Sequence, residues 1–195
     1  MLNICATSLA DCLFRNYPLD ENQKPVYIYG FQLFLSSAAA MVSIFVLSCL
    51  LQAAYTSFVF STIFVSIRLF SGGYHAKTYG KCFAISNTIF LACFFLAKIM
   101  QELSFDFICP YLVCFSLLVI VALTPIRHKN HPISDMTYQK NKRISRALAL
   151  FESLCVLTAY FFSLAPSFIS MASVTLTAVA VMMIVPKCLE RGGKA

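Results

Sequence analysis

The chain has 195 residues, of which 59% are hydrophobic and only 12% charged, with a mean hydropathy of +0.78 and a formal net charge of +7. That balance excludes an ordinary soluble globule. Val26 to Ile67 is a run of 42 residues without Asp, Glu, Lys or Arg, and a bilayer core takes about 20 helical residues to cross. The composition therefore predicts one integral membrane domain over residues 1–195, an all-α polytopic bundle. Excess positive charge on a soluble protein would suggest nucleic acid. Here it marks loops retained on the cytoplasmic face, and no nucleic-acid partner is expected.

In chain order, residues 1–17 place Leu2, Cys5, Leu9, Cys12 and Leu13 at three- to four-residue intervals, opposite Asn3, Ser8, Asp11 and Arg15. This spacing predicts a short amphipathic helix at the membrane interface. The opening residues lack a basic region and cleavage site, so no signal peptide is expected. Pro18 and Pro25 bound a polar link. Six spans follow, at 26–50, 52–67, 83–101, 107–124, 147–164 and 168–185. Tight turns of little polarity near residues 51 and 166 make a four-span arrangement with re-entrant segments the main rival. Lys98, near the end of the third span, is expected to snorkel. Glu152, early in the fifth, reads either as a functional intramembrane carboxylate or as an interfacial one paired with a basic-loop residue; the second reading is favoured.

Six spans put residues 68–82, 125–146 and both termini on one side. That side then holds fourteen of the fifteen basic residues and leaves Lys98 opposite. Under the positive-inside rule it is the cytoplasmic side.

Nine cysteines could form a disulfide scaffold. Most lie within apolar segments, however, and no CxxC pair is present, so small buried hydrophobes are the better reading and no metal or other cofactor is expected. Cys82 stands apart. It closes the polar stretch Arg68–Cys82, which also holds Gly72, Gly73, His75, Lys77, Gly80 and Lys81. A thiol and an imidazole are the parts of a cysteine nucleophile and its base. On one straight helix His75 and Cys82 would share a face yet lie about 10.5 Å apart along the axis, too far for a hydrogen bond. A dyad requires a bend, which Gly80 or Gly72-Gly73 allows. Spacing alone leaves open that these are ordinary loop residues and interfacial anchors.

The run Arg68…Gly72-Gly73-Tyr74-His75-Ala76…Cys82 resembles the signature of AgrB, the accessory gene regulator B family of peptide quorum-sensing systems. The multi-span layout is similar, as is Thr124-Pro125…Pro132 with the basic residues after it. The resemblance implies a membrane cysteine endopeptidase acting on a small AgrD-like precursor peptide. His75 and Cys82 would be catalytic, and a peptidyl thioester would lead to a cyclic thiolactone or lactone. Self-association is compatible with the family. Arg68, Gly72, Gly73 and Gly80 are read as organising the site or contacting substrate. In the basic loop 125–146, Lys129, Lys140, Lys142 and Arg143 either anchor topology or capture an acidic precursor segment. The alternative function is a small peptide transporter without proteolytic activity. A transporter, however, would carry repeats or mid-membrane polar residues, and here the polar chemistry gathers at one interface.

Overall fold

A computed structural model describes residues 2–17, 20–71, 79–125 and 135–192, with side chains described as far as residue 185. It is an all-α bundle with seven helices and no strand among the described residues. They are α1 (Leu2–Asn16), α2 (Lys24–Leu50), α3 (Ala54–Ser71), α4 (Tyr79–Glu102), α5 (Cys109–Leu123), α6 (Asp135–Phe161) and α7 (Pro166–Gly192). The last six supply six segments long and apolar enough to cross a membrane. The six-span expectation holds.

Local chemistry starts these helices. Asp20 accepts from the Asn22 amide at 3.0 Å and caps a short 3-10 turn, Glu21–Gln23, that leads into α2. Pro25 and Pro110 stand in the first turns of α2 and α5, and Pro166 opens α7. There a missing amide hydrogen costs nothing.

Three turns at one end of the bundle share one closure. After α2, Gln52 N–H donates to Cys49 C=O and Ala53 N–H to Ser48 C=O. After α4, Ser104 donates to Gln101 and Phe105 to Met100; after α6, Ser163 donates to Tyr160 and Leu164 to Ala159. This is the Schellman pattern, which satisfies carbonyls that end a helix. The left-handed position is Gln52, Ser104 or Ser163, with φ of 55°, 55° and 53°, and in none of the three is it glycine.

α7 is the central post. It packs against α3, α4, α5 and α6, and every residue from Ile169 to Leu176 is buried. Ser170, Ala172, Ser173 and Thr175 are small enough to let four neighbours approach closely. The hydroxyls of Ser170, Thr175 and Thr177 return to the carbonyls of Pro166, Met171 and Ser173, at 2.8, 2.7 and 2.9 Å. Burial thus leaves those polar groups satisfied. An aromatic stack fills the α3–α4 side: Phe60 lies on Phe64 with centroids 4.9 Å apart and meets Phe90 edge-on at 5.4 Å. Phe34, Phe58, Leu118 and Phe151 point outward, each more than 60% exposed. Such an apolar exterior suits lipid.

α1 packs along α2 through Ala6 and Ala10, both fully buried. Lys24 pairs with Asp11 at 2.9 Å, and Phe14 meets Tyr27 edge-on at 5.4 Å. The stripe with Cys5, Leu9 and Cys12 remains outward, as an interfacial helix requires.

Several boundaries differ from those read in the sequence. Helix α6 begins at Asp135, so Lys140, Lys142, Arg143 and Arg146 ride on a helix and not in a loop. Lys and Arg are good helix formers, and charge ends a membrane span without ending a helix. Helix α4 begins at Tyr79, placing Gly80 and Cys82 in its opening turns; the bend allowed for at Gly80 is helix. The cysteines also differ. All eight described are free thiols, but only Cys93 and Cys109 are buried; Cys5, Cys12, Cys49, Cys114 and Cys155 face outward. Lipid is as acceptable a solvent for a thiol as a packed core.

Candidate active site

The polar stretch opens where α3 ends. Arg68 lies in the last turn of α3, where the carbonyl end of the helix favours a cation. Its guanidinium sits 5.2 Å from the centre of the Phe64 ring, one turn earlier, in cation–π contact. Across from it, Cys82 stands near the amino end of α4, and its side chain is partly buried. The two residues, fourteen positions apart in the chain, stand at the described ends of α3 and α4, within electrostatic range of each other.

His75, Gly72, Gly73 and Lys77 lie outside the described residues, as does Lys129. Gly80 is exposed, and a methyl group added there would meet nothing within 4 Å.

Among the basic residues of α6, Lys140 and Arg143 line one open groove of about 510 Å³ together with Met136, Gln139 and Ile144. Lys142 does not line it. Arg146 is committed elsewhere: its Nη2 donates to the Val121 carbonyl at 2.8 Å, closing the end of α5. Thr124 and Ser145 share a buried hydroxyl bond of 2.8 Å beside it. Among the described residues, no group of acidic, histidine or cysteine side chains has a metal-binding arrangement.

Glu152 corrects an expectation. It lies well inside α6, 9% exposed, and its Oε1 accepts from Ser66 of α3 at 2.6 Å; its partner does not come from the basic segment. A second polar set was not anticipated. Tyr79 Oη donates to Gln32 Oε1 at 2.9 Å, and Gln32 Nε2 donates to Asn3 Oδ1 at 2.8 Å. The available signal was Gln32 itself, a strongly polar side chain inside the long uncharged run.

The model of the Accessory gene regulator B family matches residues 6–185. The chain belongs to the AgrB family. As an AgrB protein it is a multi-pass membrane protein with a role in processing the peptide precursor of agr quorum sensing. No match was found among curated proteins or among solved structures. The match takes in all six apolar helices and the Arg68–Cys82 stretch.

Proposed function

We propose that this AgrB protein is a membrane cysteine endopeptidase with Cys82 as nucleophile and His75 as its base. The observation that carries the reading is the family match over the Arg68–Cys82 stretch, which sets Cys82 near the described start of α4 and a glycine pair and His75 in the segment before it. A thiolate is the attacking form, and His75 is the base that would make it. Cys82 Sγ forms a bond to a precursor carbonyl carbon while its proton passes to His75. The C–N bond then breaks, and His75 returns the proton to the leaving amine.

Backbone amides around Gly72-Gly73 or Cys82 are the candidate donors to the oxyanion. A cysteine or serine of the precursor next attacks the thioester. Its own S–C or O–C bond forms, the Cys82 S–C bond breaks, and the incoming group's proton passes through His75 to the leaving sulfur. No water is consumed, and apolar helices around the thioester disfavour hydrolysis.

The same reading puts both termini and the site on the cytoplasmic side, where fourteen of fifteen basic residues gather. Lys140 and Arg143, opening on one groove, suit capture of an acidic precursor segment, with Lys142 and Lys129 adding to the field.

Co-expression with the precursor tests the proposal. Cys82→Ala and His75→Ala are expected to abolish cleavage, and wild type to accumulate a hydroxylamine-labile, precursor-sized adduct on Cys82. Undiminished cleavage by Cys82→Ala would end the peptidase reading.

A further inference from the structure

The Asn3–Gln32–Tyr79 chain joins three helices at the point where α4 begins. Tyr79 is the first described residue of α4, and Cys82 follows three residues later, on the same side of the helix. A side-chain anchor at Tyr79 therefore bears directly on where Cys82 stands. Here the anchor is the Tyr79 phenol on Gln32.

Gln32 suits the middle of such a chain because an amide offers an acceptor and a donor in one plane. Its oxygen takes the Tyr79 hydroxyl while its nitrogen reaches Asn3 on α1. α1 is itself fixed to α2 by the Lys24–Asp11 pair, the Phe14–Tyr27 contact and the buried Ala6 and Ala10. A cysteine nucleophile loses rate steeply when displaced by about 1 Å.

We propose that Asn3, Gln32 and Tyr79 form a positioning relay through which docking of α1 on α2 fixes the first turn of α4, and with it the attack position of Cys82. None of the three is a catalytic residue. The effect on catalysis rests on the peptidase reading above, whereas the effect on Cys82 itself does not.

The test uses the full chain in native membranes without precursor. N-ethylmaleimide labelling of Cys82 is followed by mass spectrometry, with Cys49, exposed in the last turn of α2, as internal reference. Asn3→Ala, Gln32→Leu and Tyr79→Phe are each expected to raise the Cys82 labelling rate at least threefold, with Cys49 within twofold. The Gln32→Leu/Tyr79→Phe double variant should add nothing to either single change. Gln32→Glu still accepts from Tyr79 and can accept from the Asn3 amide, so it should return the rate towards wild type. With precursor, turnover in Tyr79→Phe should fall at least fivefold with KM within twofold.

Asn3 is exposed, so its variant tests the relay without disturbing the core. Cys82 labelling within twofold of wild type in both Asn3→Ala and Tyr79→Phe would overturn the relay. Shifted labelling alongside a wild type that does not cleave its precursor would uphold the relay and sink the peptidase reading.

Discussion

Ser66 donates to Glu152 at 2.6 Å across the seam between α3 and α6, and Ser66 stands two residues before Arg68 on α3. The bond fixes the rotation of the helix end that carries the guanidinium. The other carboxyl oxygen, Oε2, is buried with no hydrogen-bond partner among the described residues, so this contact is the carboxyl's one described anchor.

Ser66→Ala should therefore destabilise the bundle by about 1–3 kcal/mol, the cost of leaving a buried polar group unpaired. Glu152→Gln keeps an acceptor for Ser66 and should lose less. Thermal unfolding of detergent-solubilised protein reads both, and a Ser66→Ala variant as stable as wild type would remove the bond from the account.

Arg68→Ala should slow formation of the Cys82 acyl-enzyme by about 100-fold, the low end of the scale on which removing a preorganised electrostatic partner acts. Arg68→Lys keeps the charge but not the planar stacking on Phe64, and should fall between wild type and Arg68→Ala. Single-turnover cleavage of the precursor measures this. Equal rates in all three would show that the Arg68 charge does not act on the chemical step.

Gly80→Ala should raise stability by about 0.5–1 kcal/mol, since the position is helical and the added methyl meets nothing. Gly80 stands two residues before Cys82, on a different face of the helix, so cleavage should stay within twofold. Gly30→Ala, also unobstructed, on α2, should behave alike. Thermal unfolding and precursor cleavage read both variants, and a Gly80→Ala variant less stable than wild type would show that the position needs glycine's backbone freedom.

Ser104→Gly should stabilise the α4–α5 turn by about 1 kcal/mol, because a left-handed residue with a Cβ carries a steric penalty that glycine lacks. Ser104→Val should cost at least as much in the opposite direction. Melting temperatures of the two variants, compared with wild type, give the answer directly.

The six spans were legible because each is a run of apolar residues long enough to cross, and composition alone marks such runs. The ends were less so. The charges from Lys140 to Arg146 read as a loop because water-exposed helix and water-exposed loop share their polarity. The partner of Glu152 was unreadable, since Ser66 lies 86 residues away and a serine in an apolar span carries no address. Cys82 was singled out among nine cysteines by the histidine and glycines before it, and the family match covers that stretch. Its apposition to Arg68 needed two helix ends in space. Gln32 could have been flagged as a polar side chain in an uncharged run, but Asn3 read as part of the polar face of an interfacial helix and Tyr79 as one more residue of the polar stretch before Cys82.

The place of α7 has a consequence for how the bundle is assembled. The helix that fills the middle follows, in the chain, all four helices it touches. Domains are built in order during synthesis, so α3 to α6 enter the bilayer before their shared inner surface has anything to close on. Until α7 arrives, the aromatic stack around Phe60 and Phe90 and the thiols of Cys93 and Cys109 border an unfilled centre. The two helices that carry Arg68 and Cys82 thus gain their shared central packing only when α7 has been made.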